Sequence, residues 1–191
     1  MRRLVNVPNV ITFSRIVLIP LIVGLYYLPD EWLSPHGKNV SATIVFIVAA
    51  VSDWLDGYLA RRLNQMSAFG AFLDPVADKL IVAGALIILL HLKRVDMLVA
   101  LIIIGREIGI SALREWMAKA GQARSVAVAF IGKLKTVFQL VAIPLLLYSD
   151  PILGFDAQWY GTLLIIVAAV LTVVSMLYYV RKAMPHAAVG S

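Results

Sequence analysis

The chain has 191 residues, of which 61% are hydrophobic and 15% charged, and its mean hydropathy is +0.89. Soluble domains are about 45–50% apolar with about a quarter of their residues charged, so this composition excludes an ordinary soluble domain and indicates one membrane domain over residues 1–191. The net charge of +6 comes without a basic, aromatic-rich soluble patch, which argues against nucleic acid as a partner, and the lack of cysteine excludes disulfides and thiolate ligands.

Six apolar segments follow in chain order, and each is close to the roughly 20 residues that cross a bilayer as a helix. They cover residues 10–28, 39–60, 71–91, 96–117, 129–148 and 159–180. We therefore expect an all-α integral membrane protein with six transmembrane helices. Residues 1–8 are expected to lie along the interface. No small-residue cleavage site follows the first segment, so we interpret it as a retained helix and not a signal peptide.

The basic residues predict the orientation of these helices, because Lys and Arg collect on the cytoplasmic side of a membrane. With both chain termini in the cytoplasm, the outer loops hold only Lys38, Lys93 and Arg94. Aromatic residues near the segment ends are interpreted as interface anchors. The cytoplasmic basic set is Arg2, Arg3, Arg61, Arg62, Arg114, Lys119, Arg124, Lys133, Lys135, Arg181 and Lys182, and the aromatic set is Trp32, Trp116, Trp159, Tyr178 and Tyr179.

The second and third segments carry four aspartates at their cytoplasmic ends. On a helix, Asp53 and Asp56 fall in one stripe about 140° wide, together with three further residues of the same segment. Asp74 and Asp78 share an arc of about 80° with Gly70 on the next helix. The connection is short, so the two helices are expected to be antiparallel and the four carboxylates to share one cavity. The other three members of the first stripe are Gly57, Ala60 and Arg61.

Four clustered carboxylates repel one another and need positive charge among them. Arg61 and Lys79 could supply part of that charge. A hard divalent cation such as Mg²⁺ or Mn²⁺ is the better match, because every candidate ligand is a carboxylate oxygen. Four aspartates could hold one ion or two. The small residues on the same faces leave room for a polar ligand, although they would also permit tight helix packing.

The pattern D-x2-D-G-x2-A-R-x8-G-x3-D-x3-D, which starts at Asp53, resembles the signature of the CDP-alcohol phosphotransferase family at every position. The resemblance implies a six-helix membrane enzyme, usually a homodimer. It implies that Asp53, Asp56 and Asp74 are metal ligands, and that Asp78 approaches the metal and acts as the general base. The residues implied at the nucleotide are Asn9, Thr12, Asp56, Gly57, Ala60, Arg61 and Gly70.

Asn9, Thr12 and Arg15 match the opening pattern of the family, but Asn9 and Arg15 each have a simpler interpretation. Asn9 is a plausible helix N-cap after Pro8. Arg15 could extend its charged end towards the interface while its aliphatic part lies in lipid.

Basic residues in the fourth and fifth segments suggest an anionic acceptor. Arg106 lies in the middle of its segment, Arg114 lies nearer the cytoplasm, and Lys133 and Lys135 open the fifth segment. Arg and Lys gathered beside a metal site suit a sugar phosphate or glycerol phosphate. The alternatives are a buried pair between Arg106 and Glu107, and lysines that serve only to set the topology.

Two further stretches, R-E-I-G-I-S-A-L-R-E-W-M-A and S-V-A-V-A-F-I-G-K-L-K-T, resemble the bacterial branch of this family that makes phosphatidylglycerophosphate. That resemblance implies CDP-diacylglycerol as donor, sn-glycerol 3-phosphate as acceptor, and a bacterial cytoplasmic membrane with the active site facing the cytoplasm. No histidine is expected to reach the aspartates, so direct displacement is preferred to a covalent intermediate.

Three alternatives stay open at this point. The acceptor could be inositol phosphate, serine or another alcohol. The intramembrane aspartates could belong to a cation transporter, since such residues often mark ion pathways. A purely structural membrane subunit would leave the cost of four aspartates unexplained.

Overall fold

A computed structural model describes residues 7–62, 68–119, 130–152 and 154–187. Each of the six predicted segments coincides with one α-helix, which confirms the all-helical prediction for the described ranges. Between the last two helices the backbone makes one antiparallel bridge, Ile152 to Phe155. The helices are α1 (Val7–Tyr27), α2 (Pro35–Arg62), α3 (Ala68–His91), α4 (Met97–Lys119), α5 (Phe130–Tyr148) and α6 (Ala157–Ala187).

Three helices begin at capping side chains on the same end of the bundle. The backbone N–H of Gly37 donates to Ser34 Oγ at 3.1 Å, that of Leu98 to Asp96 Oδ1 at 2.8 Å, and that of Trp159 to Asp156 Oδ1 at 2.9 Å. Such caps satisfy N–H groups that have no partner inside the helix. Ser34, followed by Pro35 in the first turn, explains why α2 begins four residues before the predicted segment.

The first helix lies between the second and the third. It packs extensively against both α2 and α3, which contact each other much less. α5 packs along α6 and against α2, while α4 packs mainly on α6. The arrangement therefore brings α1 to the acidic ends of α2 and α3, and it brings α4, α5 and α6 together at a second location. Large side chains of the core include Phe46, Leu86, Leu89, Ile103, Ile143, Leu146 and Ile165.

The outer surface of the bundle is apolar on all six helices. Among the residues that the structure describes, two helices, over Val10–Tyr27 and Ala157–Arg181, are long and apolar enough to cross a membrane. The composition of this surface is typical of contact with lipid, because soluble proteins rarely expose large continuous apolar patches. Exposed side chains include Val17 and Leu21 on α1, Ile44 and Ile47 on α2, Leu80 and Ile87 on α3, Leu98 and Leu101 on α4, Val137 and Val141 on α5, and Val170 and Leu177 on α6.

The end of the bundle away from the aspartates is fastened by Arg94, in the loop after α3. Its guanidinium donates to the backbone carbonyls of Leu146 at 3.1 Å and Leu147 at 2.8 Å, and to Asn39 Oδ1 at 3.2 Å. The loop itself closes α3 with Lys93 in the left-handed region at φ 58°. Because a helix leaves its last carbonyls without partners, Arg94 satisfies the end of α5 while tying it to α2.

Candidate functional site

The two halves of the acidic pattern lie on either side of one helix-to-helix connection. Asp53 and Asp56 belong to the last turns of α2, which ends at Arg62, and Asp74 and Asp78 belong to the first turns of α3, which begins at Ala68. Both halves are helical, as the spacing predicted. The motif is therefore built at one end of the bundle, where α2 turns back into α3.

Side chains of α1 contact both aspartates of α3. The hydroxyl of Thr12 donates to Asp74 Oδ1 at 2.6 Å. Nη1 of Arg15 donates to Asp78 Oδ1 at 2.5 Å. Thr12 and Arg15 are each 1% exposed, whereas the Asp78 side chain is 46% exposed. Thr12 and Arg15, three residues apart on α1, thus face Asp74 and Asp78, four residues apart on α3. These contacts hold the two carboxylates from inside the bundle, while the Asp78 side chain is partly exposed on the other side.

Arg15 therefore has a different environment from the one suggested by sequence alone. A snorkelling arginine would carry its guanidinium to the interface, but Arg15 is fully buried and forms an ion pair with Asp78. An arginine buried in this way needs a partner, because an uncompensated charge is costly to remove from water. The residue thus supplies part of the positive charge that the clustered aspartates require.

The donor set around Asp74 and Asp78 fits a hard divalent cation. Both side chains are carboxylates one helical turn apart, and a carboxylate can accept several bonds, so contact with α1 leaves capacity for a metal. Within the ranges that the structure describes, no three acidic, histidine or cysteine side chains form a metal-binding group. Two of the four predicted ligands, Asp53 and Asp56, have side chains outside the described part of the chain.

Several predicted site residues have side chains that lie outside the part of the chain that the structure describes. Gly70 is described, and it is buried in the first turn of α3, where it adds no side chain next to the acids. The predicted nucleotide and acceptor contacts that lie outside the described side chains are Asn9, Asp56, Gly57, Ala60, Arg61 and Lys133.

A second cluster joins α4, α5 and α6 through charged side chains. Arg106 on α4 is 5% exposed and Lys135 on α5 is 3% exposed. Both contact Oε1 of Glu107, Lys135 closely and Arg106 at 3.5 Å. Arg106 also donates to Ser175 Oγ on α6 at 3.2 Å. The structure thus brings Arg106 and Lys135, two of the four predicted anion-binding residues, to one set of packed helices.

Arg114 and Arg106 meet at the same aromatic ring. The guanidinium of Arg114 donates to the hydroxyl of Tyr179 at 3.3 Å. Its Cζ lies 5.2 Å from the centroid of the Tyr179 ring, and that of Arg106 lies 5.7 Å from it. Tyr179 is 0% exposed, so it is not the interface anchor that its position near the end of the sixth segment suggested. Tyr179 lies four residues after Ser175, on the same face of α6, and this spacing was the signal in the sequence that could have indicated its burial.

The cluster holds more positive than negative charge. Two cationic side chains contact Glu107: Lys135 pairs with it from α5, and the adjacent Arg106 makes only the longer contact. Arg114 is a third cation, and it contacts Tyr179 beside Arg106. The buried Nε atoms of Arg106 and Arg114 have no hydrogen-bond acceptor among the described residues. Buried donors without acceptors are unfavourable, and guanidinium groups favour phosphate oxygens. The arrangement can therefore bind an anion.

Comparisons with known proteins match this chain over most of its length. Residues 5–176 match the family model of the CDP-alcohol phosphatidyltransferases. The chain is 50% identical over 181 residues to a Shigella flexneri protein named CDP-diacylglycerol–glycerol-3-phosphate 3-phosphatidyltransferase, which covers 93% of this chain and 94% of the relative. A protein of the same name from Escherichia coli strain K12 is 50% identical over the same shares of the two chains.

Proposed function

The chain belongs to the CDP-alcohol phosphatidyltransferase family and is an enzyme. On that premise, we propose that it transfers the phosphatidyl group of CDP-diacylglycerol to sn-glycerol 3-phosphate, which gives phosphatidylglycerophosphate and cytidine monophosphate. The observation that carries this proposal is the pairing of an acidic site, held by α1, with a basic cluster on α4, α5 and α6. The names of the relatives support the same donor and acceptor.

We propose that the four aspartates of the motif hold one or two Mg²⁺ or Mn²⁺ ions. When bound, the metal would neutralise the negative charge of the donor's diphosphate. Thr12, which donates to Asp74, and Arg15, which donates to Asp78, orient two of the carboxylates for this task. The proposed ligands are Asp53, Asp56, Asp74 and Asp78.

Asp78 is the proposed general base. Its side chain is about half exposed, although its partner Arg15 is buried, so an acceptor hydroxyl can reach the carboxylate from the exposed side. Asp78 takes the hydroxyl proton as the acceptor oxygen bonds to the lipid-bearing phosphorus, and the bond from that phosphorus to the cytidine monophosphate oxygen breaks. No covalent enzyme intermediate is required.

The basic cluster is the proposed site for the phosphate of the acceptor. Arg106, Arg114 and Lys135 present donors from two helices, and Lys133 precedes Lys135 in the first turn of α5. Arginine forks match phosphate oxygens in pairs. An acceptor that carries a phosphate would therefore be favoured over a neutral alcohol.

The cytidine end of the donor is proposed to lie against the small residues of the acidic motif. Three residues of the motif are small, Gly57, Ala60 and Gly70, and Gly70 is buried in the first turn of α3. The full set proposed for the nucleotide is Asn9, Thr12, Asp56, Gly57, Ala60, Arg61 and Gly70.

We also propose that all six helices cross the membrane, with both termini and the active site on the cytoplasmic side of a bacterial cytoplasmic membrane. Exposed apolar side chains on every helix support this topology. The distribution of Lys and Arg supports the orientation. The enzyme is proposed to work as a homodimer in the bilayer.

The test uses purified protein, labelled CDP-diacylglycerol, Mg²⁺ or Mn²⁺, and a panel of acceptors that includes sn-glycerol 3-phosphate, inositol phosphate and serine. We expect release of cytidine monophosphate only with metal and sn-glycerol 3-phosphate. Arg106→Ala should raise the KM of the acceptor more than that of the donor. Release with another alcohol would correct the acceptor, and cation flux in vesicles without any product would favour a transporter instead.

A further inference from the structure

Tyr179 contacts both arginines of the basic cluster. Arg106 and Arg114 are eight residues apart, which places them about 12 Å apart along α4 and about 80° around it. Two arginines at that separation can adopt many conformations when nothing joins them. Both guanidinium groups lie close to the ring of Tyr179, with Cζ of Arg106 5.7 Å and Cζ of Arg114 5.2 Å from its centroid.

The position of the ring is fixed by packing. Tyr179 is fully buried in a small core with Ile110 and Met117 of α4, and Leu113 and Met176 pack against that core. Ile110 lies between the two arginines on the helix. A tyrosine has only two side-chain torsions, so burial of this kind leaves its ring and hydroxyl in one place.

The two contacts with Tyr179 leave other donors of the arginines available. A guanidinium that lies over a ring is attracted through its face, while its N–H donors lie in its own plane. Arg114 uses one of them on the Tyr179 hydroxyl, at 3.3 Å. The buried Nε atoms of Arg106 and Arg114 have no acceptor among the residues that the structure describes. Both groups are therefore oriented and still able to donate.

We infer that Tyr179 is a positioning residue for the acceptor phosphate, which aligns Arg106 and Arg114 so that both can bind one phosphate group. This inference rests on the proposed function. It also deepens the proposed specificity, because two prealigned arginines favour an acceptor with a phosphate monoester over one with only hydroxyl groups. Tyr179 itself need not touch the substrate.

Steady-state kinetics of two substitutions test the inference. Tyr179→Leu removes the ring, and we expect the KM for sn-glycerol 3-phosphate to rise on the order of tenfold, the size of one desolvated cation–π contact. The KM for CDP-diacylglycerol should change less than about twofold, since this interaction is not with the donor. Tyr160→Leu, on the same helix but 43% exposed at its other end, is the control and should change neither constant.

Tyr179→Phe provides a milder test that preserves the packing. It removes only the hydroxyl that accepts from Arg114, and we expect the acceptor KM to rise about threefold, as for one hydrogen bond. In an Arg114→Ala background the same substitution should have no further effect, because the partner is already gone. Equal effects in both backgrounds would overturn the inference, even if Tyr179→Leu fails to fold.

The outcomes separate this inference from the proposed function. If Arg106→Ala and Arg114→Ala raise the acceptor KM while both Tyr179 variants leave it unchanged, the phosphate site stands and the role of Tyr179 is rejected. If neither arginine substitution changes the acceptor KM, the proposed phosphate site is rejected, and the role of Tyr179 is rejected with it. Parallel rises in the donor and acceptor KM of the Tyr179 variants would indicate a general distortion of the active site and would also reject the positioning role.

Discussion

Nη1 of Arg15 lies 2.5 Å from Oδ1 of Asp78, although the two residues are 63 positions apart in the sequence. The contact joins the first helix to the third at the proposed general base. The two side chains differ in environment, since that of Arg15 is 1% exposed and that of Asp78 is 46% exposed. The arginine therefore holds the carboxylate from the inside of the bundle while the outside of the carboxylate can receive substrate.

Asp78→Asn should abolish turnover while donor binding is largely preserved. The amide oxygen can still accept from Arg15, so the fold is retained, but an amide cannot take a proton from the acceptor. General-base catalysis contributes about 10²–10⁴-fold, and we expect a loss in kcat of at least that size. Asp96→Asn is the matched control, because asparagine also caps a helix and Asp96 caps α4 at the other end of the bundle. Full activity of Asp78→Asn would reject the base assignment.

Arg15→Ala should lower both stability and turnover. The substitution removes a charge-assisted hydrogen bond, which corresponds to a loss of about 1–3 kcal/mol in the free energy of unfolding, and it leaves Asp78 less constrained. We expect kcat to fall about tenfold or more, from misplacement of the base. Arg15→Lys keeps the charge and should recover part of the activity.

Thermal unfolding in detergent and initial rates measure these two effects. Arg181→Ala, at an exposed position on α6, controls for the loss of one arginine. A destabilised Arg15→Ala protein with normal kcat would mean that the residue is structural only.

Glu107→Gln should destabilise the protein in a way that the acceptor can partly reverse. Lys135 is 3% exposed and loses its anionic partner in this variant, with an expected cost of about 1–3 kcal/mol. If phosphate binds the same cluster, sn-glycerol 3-phosphate should raise the Tm of the variant more than that of the parent. The control is Glu31→Gln in an exposed loop. Equal Tm shifts in variant and parent would argue that Lys135 is not part of the phosphate site.

Arg94→Ala should lower stability without a selective effect on either substrate. It removes two bonds to the carbonyls at the end of α5 and one to Asn39, with an expected loss of about 1–3 kcal/mol. Both KM values should stay within about twofold, because Arg94 follows α3 at the end opposite to Asp78. A selective change in one KM would contradict this assignment.

At the neighbouring position, Lys93→Gly is not expected to lower stability, in contrast to Arg94→Ala. Lys93 has φ 58°, a conformation that costs a non-glycine residue about 1 kcal/mol, so glycine should be neutral or stabilising there. A lower Tm for this variant would show that the lysine side chain contributes more than its backbone strain costs.

The sequence predicted the helices well because each apolar segment is long and has clear turn chemistry at its ends. Where a helix begins at a different residue from the predicted segment, the cause is local, as with Ser34 and Pro35 at the start of α2. The spacing of the motif also predicted that Asp74 and Asp78 lie one turn apart on one helix, as they do on α3. These features depend on residues close together in the chain, where periodicity and spacing are informative.

The contacts between distant helices could not be predicted in the same way. The pairing of Arg15 with Asp78, and of Arg114 with Tyr179, depends on which helices are neighbours, and nothing in one sequence gives that order. Tyr179 was interpreted as an anchor because aromatic residues near segment ends are often found at the interface. Its burial follows from the packing of α4 on α6.

The separation of Arg15 from Asp78 has a consequence for how the protein is made. In the proposed six-span arrangement, α1 leaves the ribosome and meets the lipid before α3 has been synthesised. Until α3 arrives, Arg15 sits among lipid tails without its carboxylate, and a charged residue there is unfavourable by at least ~2.5 kcal/mol. The first helix should therefore settle at its final depth only once the third has joined it, so that insertion and completion of the catalytic centre become one event.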